Sequence, residues 1–180
     1  MRVISGKYKK TNLDGFDIDG TRPTMDRVKE SMFAMIQNDI KDSIVLDLFA
    51  GSGALGIEAL SMGAKTCYFI DNNSIAINTI KNNLKKVKDL NNPVLKMDFL
   101  EALNYFKENN LKFNLILLDP PYKNNYLNKV IELINKYDLL TDNGIIVCEY
   151  EDYELDYNKF TLYKQKTFSS KIVSILIKWC

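Results

Sequence analysis

The stretch Ile44-Val45-Leu46-Asp47-Leu48-Phe49-Ala50-Gly51-Ser52-Gly53-Ala54-Leu55-Gly56 decides the fold. Its aliphatic opening reads as a buried strand and Gly51-Ser52-Gly53 as a tight turn; the residues after it, with Ile57, Ala59 and Leu60, open a packed helix. Glycine suits such a turn for two reasons. It tolerates positive φ, and its missing side chain lets a ligand approach the backbone and the positive end of the helix. A strand, a glycine turn and a helix in this order belong to an α/β sheet that binds ligands beyond the carboxyl ends of its strands.

Outward from this stretch the alternation continues. A helix from about position 24 carries Val28, Met32, Phe33 and Ile36 on one side, ahead of the first strand at 44–49. Strands follow at 66–70, 94–97, 113–118 and 144–148. A helix opening near Ser74 has the stripe Ile77, Ile80, Leu84 and Val87, and another carries Leu127, Val130, Ile131 and Ile134. The ending differs, because the runs 160–166 and 172–179 are joined by Ser169-Ser170 with no helix between them, which predicts an antiparallel hairpin. The expected architecture is a Rossmann-like α/β domain, with a seven-stranded, mostly parallel sheet covered by helices and ending in that hairpin. The 180 residues, 46% of them hydrophobic, suffice for one substantial core, so a single domain over 1–180 is expected. Positions 1–20 form a short basic extension with a hairpin through 16–18, and no repeat or low-complexity segment interrupts the chain.

A second motif supplies chemistry. Asp119-Pro120-Pro121-Tyr122 follows the apolar run 113–118 directly and presents a carboxylate, a rigid turn and an aromatic ring together. Methylating a planar exocyclic amine requires such a set, because acceptors must draw on the N–H groups of a nitrogen whose lone pair is delocalised. Asp119 and the Pro120 carbonyl are candidate acceptors, the prolines stiffen the turn, and Tyr122 offers a face for stacking. The bland reading of the same residues is a strand followed by a Pro-rich turn. Gly51, Gly53 and Gly56 also satisfy the G-x-G-x-x-G pattern, so a nicotinamide-dependent oxidoreductase competes. Asp47 argues against it: a carboxylate there sits badly beside a pyrophosphate but suits a ligand with an ammonium group and a sulfonium charge, such as S-adenosylmethionine.

Together the two motifs resemble the class I S-adenosylmethionine-dependent amino-methyltransferases. The segment Gly20-Thr21-Arg22-Pro23-Thr24-Met25-Asp26-Arg27-Val28-Lys29-Glu30, the run 49–60 and the opening Arg2-Val3-Ile4-Ser5-Gly6-Lys7 narrow the resemblance to the bacterial RsmD family. The resemblance implies methylation of the N2 amine of a guanine in 16S rRNA within the small ribosomal subunit. It departs at Lys9-Lys10-Thr11-Asn12-Leu13, where the family continues with arginines and glycines, and at Asp71, where it often has Glu. Asp119, Pro120, Pro121 and Tyr122 are the expected catalytic set. The expected cofactor-binding residues are Asp47, Phe49, Ala50, Gly51, Ser52, Gly53, Asp71, Asn72, Asp98, Phe99 and Asp119: Gly51 and Gly53 would border the methionine part with Asp47 nearby, Asp71 would accept from the ribose hydroxyls, Asp98 would lie near the adenine amine with Phe99 as a stacking neighbour, and Asp119 would face the methyl. The expected RNA contacts are Arg2, Lys7, Lys9, Lys10, Arg22, Arg27 and Lys123, with Arg22 open between the RNA backbone and the cofactor.

Composition sets separate limits. Histidine is absent, which excludes every mechanism built on imidazole. Cys67, Cys148 and Cys180 lie far apart with no C-x-x-C pair, so reduced thiols are expected and no thiolate metal site. No signal pattern or membrane-length apolar run is present, and a cytoplasmic monomer without a metal is the expectation. A net charge of +1 provides no global field for naked nucleic acid, so recognition must be local or shared with a particle. The chain takes most of its positive charge from lysine, yet two of its three arginines, Arg22 and Arg27, fall in one short segment, which points to a need for a planar fork. An N6-adenine or N4-cytosine DNA methyltransferase shares the D-P-P-Y motif but normally adds a recognition region. A non-catalytic RNA-binding module that keeps the cofactor pocket is the alternative of a different class.

Overall fold

The computed structural model describes residues 1–15, 26–121 and 126–179. In chain order the elements are α1 (Asp26–Met35), β1 (Ile44–Asp47), α2 (Ala54–Ser61), β2 (Thr66–Asp71), α3 (Ser74–Lys86), β3 (Val94–Lys96), α4 (Phe99–Glu108), β4 (Phe113–Leu118), α5 (Tyr126–Lys136), β5 (Leu140–Glu151), β6 (Thr161–Phe168) and β7 (Lys171–Ile177). They build one seven-stranded sheet in the order β3-β2-β1-β4-β5-β7-β6. The first five strands are parallel, and β7 is antiparallel to both β5 and β6. The chain therefore works outward from β1 to β3 and then returns to place β4 on the other side of β1. That reversal opens a crevice at the carboxyl ends of β1 and β4, where an open α/β sheet binds its ligand.

Both faces of the sheet are buried, which is why the central strands read as unbroken apolar runs. Val45, Leu115, Leu117, Val147 and Ile175 face one cluster with α1, α2 and α3. Leu46, Ile116, Ile146 and Cys148 face the other with α4 and α5. At β7 the inward residues Val173 to Ile177 are all buried, because this last strand lies inside the sheet between β5 and β6.

The structure departs from the sequence expectations at four places. A helix, α4, lies between β3 and β4 where none was assigned; Ala102, Leu103 and Phe106 form its buried stripe. Strand β5 begins at Leu140, four residues before the expected start, because the polar Asp142-Asn143 stays in the strand although Asn143 adopts φ +59°. The first strand ends at Asp47, not at position 49, since the chain turns there into the glycine loop. The N-terminal segment is also already folded onto the body. Arg2 and Asn12 pair in an antiparallel bridge, and Val3 and Leu13 are buried. The expected hairpin through 16–18 and the start of α1 at position 24 lie outside the described residues.

A buried ion pair holds this N-terminal segment. Lys29 on α1 and Glu58 on α2 meet at 3.2 Å with 2% of each side chain exposed. The Lys29 ammonium also donates to the Arg2 carbonyl at 2.6 Å, and the Glu58 carboxylate accepts the backbone N–H groups of Ile4 and Ser5. Gly6 is required beside them: at φ +82° its absent Cβ would stand 2.0 Å from the Ser61 carbonyl.

Candidate functional site

The glycine loop after β1 is tied down from several sides. Ala50 donates to the Ile70 carbonyl (2.9 Å), Gly51 N–H to Asp71 Oδ2 (2.9 Å) and Gly53 N–H to the Ala50 carbonyl (2.8 Å). Asn83, fully buried on α3, donates from Nδ2 to both the Ser52 and the Asp14 carbonyls at 2.9 Å. Gly51 at φ +56° and Gly53 at φ +81° occupy the left-handed region, as the tight turn requires. Gly56 serves packing: a Cβ there would lie 2.3 Å from Phe69 Cε1, so glycine is what lets α2 approach β2.

Asp47 does not lie open against a ligand, as the sequence suggested. Its side chain is buried beneath the loop, and Oδ2 accepts the Gly56 N–H at 3.0 Å inside the first turn of α2. A carboxylate thus already occupies the positive end of the helix. Burial pushes the Asp47 carboxyl up to about 7 and the neighbouring Asp71 charge adds to this, while the Gly56 hydrogen bond opposes it. Asp71 ends β2 with both oxygens engaged, Oδ2 by Gly51 and Oδ1 by the N–H of Asn73 at 2.9 Å. Each oxygen retains lone-pair capacity for a further donor. Asn72 beside it is exposed, and it is Asn73 that caps α3.

Asp98 proves to be the N-cap of α4, accepting the Glu101 N–H at 2.8 Å. Phe99 then packs with Phe49 and Tyr126, at ring-centroid distances of 5.6 and 4.9 Å, and Phe49 lies nearly parallel to Tyr126 at 6.5 Å. These three half-buried rings come from the loop after β1, the start of α4 and the start of α5. Tyr126 was not among the expected residues; an aromatic four positions beyond the Asp-Pro-Pro-Tyr motif was its only signal.

Asp119 is half-buried directly beyond β4, Pro120 is buried and Pro121 exposed. Tyr122, Lys123 and Arg22 lie outside the described residues. A small hollow beside this turn is lined by Pro120, Pro121, Leu127, Glu149, Tyr150 and Tyr153 among others. Burial raises the Tyr153 phenol to about 12, so it stays protonated at neutral pH. Glu149, also not anticipated, is buried at the carboxyl end of β5 and bonds to Lys171 of β7 at 2.7 Å. A lone carboxylate inside the apolar run 145–150 was the signal for it.

The remaining basic residues do not gather at this crevice. Lys7 N–H bonds the Ser61 carbonyl, and Tyr8, between exposed Lys7 and Lys9, donates its hydroxyl to Asp89 at 2.7 Å. Ser61 ends α2 and Asp89 follows α3, so Lys7, Lys9 and Lys10 lie toward the amino edge of the sheet. Exposed Arg2 pairs with Asp26 at 3.2 Å, and Arg27 is exposed on α1.

Residues 1–177 match the family model described as conserved hypothetical protein 95, which is the RsmD family. The chain belongs to the RsmD family. It is 34% identical over 171 residues to ribosomal RNA small subunit methyltransferase D of Haemophilus influenzae, covering 93% of this chain and 88% of the relative. To YlbH of Bacillus subtilis it is 44% identical over 152 residues, 84% of this chain and 83% of that one. The solved structure of yhhF from Escherichia coli superposes with a TM-score of 0.86 at 28% identity, over 99% of this chain and 98% of that chain. The RsmD-family chain thus has the class I methyltransferase architecture expected of it, seven strands with the terminal antiparallel pair.

Proposed function

We propose that this protein transfers a methyl group from S-adenosylmethionine to the exocyclic N2 amine of a guanine in 16S rRNA of the small ribosomal subunit, acting as a monomer in the cytoplasm. One juxtaposition carries the reading. Across the β1–β4 switch point, a glycine loop backed by buried carboxylate stands beside an acceptor-lined Asp-Pro-Pro turn. The relatives named for small-subunit rRNA support the substrate.

The donor and acceptor set fits the cofactor. Asp71 and Asp119 stand beside the loop and Asp47 beneath it, and a cationic neighbour would favour ionisation of the Asp47 carboxyl that burial raises to about 7, so the set suits a ligand carrying ammonium and sulfonium charges. A dinucleotide would instead bring its pyrophosphate to the helix end that Asp47 already fills, so the oxidoreductase reading loses its anion site. Bound S-adenosylmethionine supplies an electrophilic methyl on sulfur. The loop Phe49 to Gly53 borders its methionine part, Asp71 and Asn72 the ribose, and Asp98 with Phe99 the adenine. On the substrate side, Asp119 and the Pro120 carbonyl accept the amine N–H groups and hold the nitrogen lone pair in line with the methyl. Tyr122 stacks on the base, and Asp119 or water takes the proton released as the S–CH3 bond breaks, the new N–C bond forms and the thioether S-adenosylhomocysteine leaves.

Labelled methyl transfer to undermethylated small subunits, with free rRNA and duplex DNA in parallel, tests the proposal. N2-methylguanine formed on the particle is the expected product. Label in DNA adenine or cytosine would overturn the substrate, and no transfer to any of the three would overturn the activity.

A further inference from the structure

The terminal hairpin has a charge pattern that the site does not use. Residues 159–180 contain five lysines, Lys159, Lys164, Lys166, Lys171 and Lys178, and no acidic residue, in a chain whose net charge is +1. The residues just before it are the opposite, with Glu149, Glu151, Asp152, Glu154 and Asp156 inside eight positions. Lys171 and Lys178 are committed to ion pairs with Glu149 and with Asp138 and Asp142. Lys164 and Lys166 are not paired with a carboxylate among the described residues. Both are exposed on the edge strand β6, and both reach α1: Lys164 Nζ donates to the Met35 carbonyl at 2.7 Å and Lys166 Nζ to Ser31 Oγ at 3.0 Å.

These two contacts fix the register of α1 against β6. Four helical residues, from Ser31 to Met35, rise about 6 Å. Two strand residues, from Lys164 to Lys166, advance about 6.6 Å. The steps match, with the helix antiparallel to the strand. One further step up each element brings exposed Arg27 level with Phe168, the last residue of β6, beneath whose hairpin turn Lys171 holds Glu149. Lys166 also stands 5.2 Å above the Phe168 ring. Arg27, Lys166 and Lys164 thus form a line of like charge that descends the open edge of the sheet from the carboxyl end, where the candidate site lies. The acidic stretch after β5 packs on the opposite face, where Asn128 of α5 binds the Glu154 carbonyl and the Asp156 N–H.

Lysines on an edge strand also deter edge-to-edge association, and Lys164 caps the last turn of α1. Those roles explain cations at β6 but not Arg27 in the same line, nor the exclusion of acids from the whole hairpin. We infer that the α1–β6 edge, through Arg27, Lys166 and Lys164, is a track for the RNA phosphate backbone leading away from the modified base. The acidic stretch after β5 turns phosphate away from the other face. This inference rests on the rRNA reading above, and it assigns the direction from which that substrate lies on the protein.

The test measures equilibrium binding to small subunits and to 16S rRNA across a salt series, with methyl transfer and cofactor titration alongside. The double variant Lys164→Gln/Lys166→Gln is expected to weaken RNA binding by about tenfold or more near physiological salt and to reduce the log–log salt slope by about 1.4 to 1.8, at about 0.7–0.9 per phosphate contact. Cofactor affinity should not change. Lys164→Arg/Lys166→Arg should restore the slope, and Asp152→Asn/Glu154→Gln, which leaves α1 untouched, should strengthen binding. Unchanged binding and slope in the double Gln variant would overturn the track, as would weakened binding with an unchanged slope, which would mark a protein contact. Should the double variant unfold, an Asp152→Asn/Glu154→Gln protein with wild-type affinity and slope would overturn it instead. If wild-type protein bound neither particle nor RNA, the rRNA reading itself would fall; loss confined to the variants leaves that reading standing.

Discussion

Asp119 and Asp47 are carboxylates at the ends of the neighbouring strands β4 and β1, and their environments suit them to different work. Asp119 is half-buried directly beyond β4, and on the proposed function Asp119→Ala should lower methyl transfer by about 10²- to 10³-fold, as loss of a preorganised transition-state contact does. Cofactor affinity measured by titration should stay within a few-fold of wild type; near-normal turnover would remove Asp119 from the mechanism. Asp47 acts from beneath the loop, and its carboxyl, raised from 3.8 to about 7, ties the site to pH. A folded-state pKa above the unfolded one favours the protonated form, so its contribution to stability is complete below about 4 and is lost as pH rises through 7. Within that window the slope is about 1.4 kcal/mol per pH unit. The cofactor-free protein should therefore melt lower at pH 8 than at pH 5.5, and Asp47→Asn should flatten the difference. Cofactor binding should run the other way, tightening as Asp47 ionises and releasing a proton, which calorimetry in buffers of different ionisation enthalpy would register.

Among the elements, the N-terminal segment depends on one buried pair. Removing one partner of a buried ion pair costs about 3–5 kcal/mol, because the other charge is left uncompensated. Lys29→Met should therefore destabilise the fold by that order and release residues 1–13, since Glu58 would have to keep the Ile4 and Ser5 N–H groups without its counter-ion. Hydrogen exchange at Val3, Ile4 and Ser5 should accelerate well beyond that of β4, and uniform acceleration would show that the pair serves the whole fold equally. This device was hidden in the sequence, where Lys29 and Glu58 look like ordinary solvated charges. The elements that were legible had strong periodicity: the stripes of α3 and α5 and the apolar runs of β1, β2 and β4 fall where expected. The missed helix α4 carries a readable stripe too, but Asp98 and Phe99 at its start were assigned to the ligand, and an N-cap carboxylate and a ligand carboxylate look alike in sequence. Asp47 was legible as a candidate site residue and not as a buried one, because no local pattern reveals that its partner is the Gly56 N–H nine residues on. Glu149 and Tyr126 owe their places to β7 and to the aromatic cluster, contacts between distant segments that spacing does not encode.

At the scale of the molecule, the order of strands in space differs from their order in the chain in a way that governs folding. Strand β7 is the last element in the chain, yet it lies between β5 and β6 and pairs with β5 from Ile145↔Ile177 to Glu151↔Lys171. Without it, β5 would be an open edge whose buried Cys148, Glu149 and Tyr150 lose their cover, and Lys171 could not compensate the Glu149 charge. A chain cut after residue 158 should therefore lack a cooperative melt and bind no cofactor, although every residue assigned to the cofactor lies before the cut. The milder change Ile175→Ala, at a fully buried position, should cost about 2–5 kcal/mol and lower the melting temperature while leaving cofactor affinity intact at temperatures where the protein is folded. The comparison separates two accounts of the hairpin. If it is an appendage that only presents charge to RNA, the shortened chain melts cooperatively and binds cofactor like wild type. If it completes the sheet on which Asp119 and the glycine loop are held, cofactor binding fails with the fold, and the same strands that offer cations to the substrate are the ones that keep the site in register.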